Sequence, residues 1–140
     1  MAINSGAPLP SDLTSRVLYR ERMVIAFGPE HRFNMAEQVT FEELRGERYI
    51  DRLHCEFSEM FLDQVHTRGL DLTYPFSSER EDWILSMIAD GMGVCLLPEF
   101  MVDAPGVRTR CLVEPELERS VQIVYASGHE NSHGLMALLD

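Results

Sequence analysis

The run Met23-Val24-Ile25-Ala26-Phe27 constrains this chain most. Five apolar residues in succession, closed by Gly28-Pro29, fit a strand covered on both faces. A strand buried in this way needs helices on either side of its sheet. The rest of the sequence supplies them in alternation. Thr40-Phe41-Glu42-Glu43 reads as a capping box opening a short helix, and Arg48-Tyr49-Ile50 as the next strand. Phe57, Phe61 and Val65 lie at i, i+4, i+8, so residues 55–68 form an amphipathic helix stopped by Gly69. Residues 70–74 alternate as a strand before Pro75. Ser78-Glu79-Arg80-Glu81 reads as a second capping box, with Ser78 as N-cap, for a helix to Asp90 that turns Ile84, Met87 and Ile88 inward. Residues 93–97, 107–112 and 120–125 read as strands, and residues 132–140 as a helix carrying Leu135, Met136, Leu138 and Leu139. Residues 1–15, small, polar and proline-containing, read as an arm. The expected class is α/β, with an open, mainly parallel sheet flanked by helices.

Composition narrows the function. A chain of 140 residues is long enough for one domain with a sizeable core. Its 12 basic residues are all arginine, and against 23 acidic ones they leave a net charge of -11. Nucleic-acid binding by this chain is not expected, because phosphate neutralisation needs clustered positive charge. Without lysine, a P-loop nucleotidase, a Schiff-base enzyme and a pyridoxal-phosphate enzyme are excluded. Cys55, Cys95 and Cys111 form no CxxC pair and fit a reducing compartment. The first residues have neither the basic start nor the apolar stretch of a signal peptide, and no apolar run is long enough for a bilayer. The expected location is cytoplasmic, with no membrane partner.

Few motifs carry chemistry. His129-Glu130-Asn131-Ser132-His133 matches HExxH, yet glycines bracket it and it reads as a turn leading into a helix, not a metal site. Gly91-Met92-Gly93 follows a helix and precedes a strand, the reverse of a dinucleotide fingerprint. No cofactor and no catalytic set are expected. The segment from Ile50 to Glu56 differs, because it runs from a strand end into a helix start, where open α/β sheets bind ligands. Arg52 there could pair with a carboxylate, and Cys55 beside His54 could be a reactive thiol. The same residues equally fit an ordinary capped turn. Ser77 lies at the next strand-to-helix junction on the same edge. Trp83 reads as packing, Cys95 as a buried, inert thiol, and Cys111 carries no assigned role.

The order of several stretches resembles the effector-binding region of LysR-type transcriptional regulators. They are residues 18–24, the Gly28-Pro29-Glu30-His31 turn, residues 40–45, Tyr49-Ile50, and above all residues 86–98 with Gly91-Met92-Gly93-Val94-Cys95-Leu96-Leu97-Pro98. The resemblance implies a type 2 periplasmic-binding-protein-like fold of two α/β halves, with a small effector in the cleft between them. Residues 24–113 would be the second half, residues 17–26 and 120–126 the crossover strands, and residues 132–140 part of a final helix. The DNA-binding domain and most of the first half would lie outside this chain. Apolar surface left by the absent half would favour self-association, with the last helix disordered, repacked or shared with another chain. Effector contacts would come from Arg52, Leu53, His54 and Cys55, with Ser77 nearby. His54-Cys55 also looks like the reactive pair of the peroxide-sensing branch. The resolving cysteine of that branch falls nine residues on, where this sequence has Gln64.

Overall fold

The computed structural model describes residues 1–5, 8–129 and 132–139. The chain divides into two compact units, one of Glu21–Glu118 and one of Met1–Arg20 with Arg119–Asp140. In chain order the strands are β1 (Ala2–Asn4), β2 (Leu13–Phe27), β3 (Val39–Thr40), β4 (Arg48–Arg52), β5 (Thr73–Ser78), β6 (Cys95–Pro98), β7 (Arg108–Val113) and β8 (Glu118–Ala126). The helices are α1 (Ser58–Arg68), α2 (Glu81–Ala89) and α3 (His133–Leu139), with 3₁₀ turns at Arg32–Met35, Glu42–Leu44 and Glu99–Met101.

In the larger unit the C-terminal part of β2 is central. Met23 to Ala26 pair antiparallel with β6 on one edge, and Val24 to Phe27 pair antiparallel with β7 on the other. β3 joins β7 in parallel, β4 joins β5 in parallel, and a parallel bridge between Tyr49 and Val94 brings β4 to β6. The order is therefore β5-β4-β6-β2-β7-β3, with only β2 reversed. The run from Met23 to Phe27 is buried throughout, as its sequence requires, and two apolar clusters form around it. Met23, Ile25 and Phe27 pack with Phe41, Tyr49 and Phe61, while Ala26 packs with Ile50, Ile84 and Ile88. These are the two faces of one strand.

Close approach of β4 to β6 depends on Gly93, where a Cβ would lie 2.7 Å from the Arg48 carbonyl oxygen. The Ile50 N–H and the Val94 carbonyl, and the Val94 N–H and the Arg48 carbonyl, bond at 2.8 Å. There the ladder stops. A continuing parallel ladder would give the Leu96 N–H to the Ile50 carbonyl. Instead it donates to the buried Tyr49 hydroxyl at 3.2 Å. Burial drives the Tyr49 phenol well above its ordinary pKa. The ring stacks on Phe61 with centroids 4.6 Å apart and meets Tyr74 edge-on at 5.8 Å. A side chain thus ends the β4–β6 pairing, and the two strands part toward their C-terminal ends.

Arginines hold much of the periphery. Arg45 donates to the carbonyls of Gly69 and Arg68 at the end of α1, and Arg68 to that of Glu114. Arg110 donates to the carbonyls of Ala36 and Asn34. Thr40 and Glu43 form the expected reciprocal cap, with the Thr40 N–H bonded to the Glu43 carboxylate and the Glu43 N–H to the Thr40 hydroxyl. It opens a 3₁₀ turn rather than an α-helix. Gly69 takes the left-handed φ of 57° expected of it.

In the smaller unit β1 pairs antiparallel with β8, so the first residues are not an unstructured arm. The strand that holds the Met23 to Phe27 run begins already at Leu13, and its first half, with Val17, Leu18 and Tyr19, is exposed. The final helix spans His133–Leu139; Leu135 is buried, while Met136 and Leu138 are exposed.

Three boundaries also differ. α1 starts at Ser58 rather than near residue 55, because His54 adopts a left-handed φ of 60° and keeps the preceding loop out of helical register. β5 runs through Pro75, at a register shift on an edge strand where the missing N–H costs no pairing. The second capping box does not form. Ser78 ends β5 and its hydroxyl accepts from the Arg80 N–H, while Arg80 is the cap of α2.

Tyr49→Phe removes the only acceptor seen for the Leu96 N–H and should lower unfolding free energy by about 1–3 kcal/mol in urea titration. A change within about 0.5 kcal/mol, as at an ordinary surface site, would refute this role.

Candidate functional site

The parted ends of β4 and β6 create the candidate site. Register places Asp51 opposite Ser77 and Arg52 opposite Ser78, so both junction loops lie on one edge of the sheet. The first turns of α1 and α2 follow those loops. A cavity of about 20 Å³ opens there, lined by Tyr49, Asp51, Arg52, Cys55, Ser58, Phe61, Leu62, Tyr74 and Leu96. Its enclosed volume is that of about one water molecule.

Arg52 is the central group. Its side chain is only 12% exposed. Nη2 lies 3.2 Å from Glu81 Oε1, and Nη1 lies 3.8 Å from Glu56 Oε2. The second distance is an ion pair but too long for a hydrogen bond. Nη1 is fully buried and has no hydrogen-bond partner. Buried donors are nearly always paired, so this one marks a place where an acceptor belongs.

The other expected residues divide. Cys55 is a half-buried free thiol lining the same cavity. His54 is turned outward, 82% exposed, with Nε2 at 2.9 Å from Glu79 Oε1. Leu53 is exposed, and its N–H donates to the Ser78 carbonyl, tying the two loops together. Ser77 is exposed and faces no cavity wall named above. Tyr49, Tyr74 and Glu81 join this site without having been expected there, and Asp51 and Glu56, inside the expected segment, take roles the sequence did not assign them. The available signal was the two glutamates near Arg52, one four residues on and one at the head of α2. Glu81 was read as a cap, and it pairs with Arg52 instead.

The remaining thiols sit elsewhere. Burial pushes the Cys95 thiol far above its ordinary range, as expected for an inert core cysteine. Burial also raises Cys111, against the nearby Arg22. His129 precedes α3 and His133 is its first residue, so they do not share a helical face; Glu130 and Asn131 lie outside the described residues. Among the described residues no group of three or more His, Cys, Asp or Glu side chains is placed to hold a metal ion. Among them, too, no helix is long and apolar enough to cross a membrane.

A larger concavity of about 290 Å³ lies at the opposite edge of the sheet, lined by Gly28, Pro29, Glu30 and His31 and by Ala89, Asp90, Gly91 and Gly93. Its histidine is already committed. Nδ1 accepts from the Phe33 N–H, so Nε2 carries the hydrogen that reaches Glu47 at 3.0 Å. The buried, unanswered donor is at Arg52, and that edge is the better site despite its smaller volume.

Comparison with known proteins agrees with this architecture. The chain is 27% identical over 132 residues to the transcriptional dual regulator GltC of Bacillus subtilis, covering 88% of this chain and 43% of that protein. The chain thus spans less than half the length of this curated relative. The reduced form of the OxyR regulatory domain from Pseudomonas aeruginosa superposes with a TM-score of 0.78 at 22% identity, over 99% of this chain and 69% of the other. The CcmR regulatory domain of Synechocystis PCC6803, in complex with 2-PG, gives 0.79 at 20% identity with the same coverages. These two likenesses establish the fold, a LysR regulatory-domain architecture of the periplasmic-binding-protein-like kind. The family model for the LysR substrate binding domain matches residues 1–140, and the chain belongs to that family.

Proposed function

We propose that this chain is the effector-sensing part of a cytoplasmic LysR-type transcription regulator and is not an enzyme. A small molecule binds at the edge where β4 and β5 end, with Arg52 as its principal contact and Leu53, His54, Cys55 and Ser77 around the mouth. The observation that carries this reading is the buried Arg52 Nη1 with no acceptor. The comparisons support the class: the relative GltC is a transcriptional regulator, and the similar CcmR domain was solved with a small ligand.

The chain's own groups suggest how binding would be read out. Arg52 touches Glu56 ahead of α1 and Glu81 at the start of α2. A ligand that takes Nη1 changes the balance between these pairs, and with it the placement of two helix starts. Signalling requires that the ligand favour one arrangement over the other. DNA contact belongs to a part of the regulator outside this chain, and self-association belongs to the assembled regulator.

In the complete regulator, Arg52→Ala should weaken the effector-dependent change in reporter transcription at least about tenfold, the loss of one charge-assisted hydrogen bond. An unchanged response with intact protein would remove Arg52 from the site.

Cys55 supports a second reading, redox sensing. The thiol lines the cavity beside Arg52, and the reduced OxyR regulatory domain is among the similar structures. A peroxide would convert the thiol to a sulfenic acid, releasing water and adding about 16 Da. The position of a resolving thiol holds Gln64, whose carbonyl accepts from Arg68 Nε at 2.9 Å. Intact mass after brief peroxide exposure tests it. Rapid single oxidation lost in Cys55→Ser supports the redox reading, and slow or unselective oxidation rejects it.

A further inference from the structure

The charges around Arg52 say more about the ligand than its position does. One guanidinium, that of Arg52, lines the cavity, with Glu81 3.2 Å and Glu56 3.8 Å from it; Arg80 at the head of α2 is taken up by Asp82. Asp51 lines the same cavity, and its charge also helps to raise the Tyr74 phenol, which burial raises first. Carboxylates therefore outnumber the arginine. A ligand bringing only a carboxylate would meet a cation already neutralised, and would add a further negative charge among like charges. Nη1 nonetheless lacks an acceptor, because Glu56 stops at ion-pair distance and Glu81 is taken by Nη2.

The site thus asks for one acceptor oxygen at its floor and for positive charge at its mouth. The floor has room for a single water-sized atom. Glu56 and Glu81, paired with the same guanidinium, are partly exposed and supply the negative charge. We propose that the effector is a small amino compound of the α-amino acid class. One of its carboxyl oxygens accepts from Arg52 Nη1, and its ammonium group is held by Glu56 and Glu81. This rests on the reading of the Arg52 edge as the effector site.

The test uses the complete regulator with two matched sets of probes, the common L-amino acids and the 2-oxo acids derived from them. Binding is read by thermal shift and confirmed by calorimetry. The expected result is that at least one amino acid raises the melting temperature while its 2-oxo partner does not. Arg52→Ala should abolish that shift. Glu81→Gln should weaken the amino acid at least about tenfold and improve the 2-oxo acid, a reversal that loss of structure cannot produce. Glu56→Gln gives the same comparison should the first variant fail to fold. A 2-oxo acid that binds as tightly as its amino acid, and depends on Arg52, overturns the amino inference and leaves the Arg52 site standing. Absence of Arg52-dependent binding in both sets overturns the inference and the effector-site reading together.

Discussion

The hydrogen bond from the Leu96 N–H to the Tyr49 hydroxyl is the constraint on which the rest of this site depends. A buried backbone donor must be answered, and in a continuing sheet the Ile50 carbonyl would answer it. Because a side chain does so, β4 is free to diverge from β6 after one bridge. That divergence lets Asp51, Arg52 and the following loop face a crevice rather than a neighbouring strand. The same tyrosine packs on Phe61 of α1 and on Tyr74 of β5, so the helix and the edge strand are fixed to the point of separation. Gly93 completes the arrangement, since any Cβ there would strike the Arg48 carbonyl.

Arginine takes two distinct parts in this acidic chain. Arg45, Arg68 and Arg110 end on backbone carbonyls, where a planar fork can reach more than one acceptor. Their work is to close helix ends and loops. Arg45 and Arg68 also share the carboxylate of Glu42, so carboxylate pairing does not set Arg52 apart; its buried Nη1 without an acceptor does. An arginine that served only structure would be expected to have every buried donor paired.

Much of the fold was legible in the sequence. The Met23 to Phe27 run, the Thr40–Glu43 cap, the Phe61 stripe and the Gly69 stop each have a local cause, and each appears in the structure. Where the cause was not local, the sequence was a poorer guide. β1 is held by pairing with β8, and β2 extends back to Leu13 beyond the apolar runs that mark it in the sequence. Pro75 sits inside β5 because the register shifts there, which no local pattern announces. Ser78 and Glu81 have the spacing of a capping box, but the helix starts later and Glu81 turns to Arg52. The junction that marks the candidate site was legible as a strand meeting a helix. Its charge balance was not, because Glu56 reaches Arg52 from the loop ahead of α1 and Glu81 from the first turn of α2.

On the proposed reading, small molecules are received at the Arg52 edge and not at the larger concavity near Gly28 and Gly91. Amide chemical shifts of this chain, labelled within the complete regulator and followed during titration with a mixture of L-amino acids, distinguish the two. The expected result is saturable changes confined to residues 49–58 and 76–82, absent in Arg52→Ala. Saturable changes centred on residues 28–31 and 89–93, unaffected by Arg52→Ala, would contradict it.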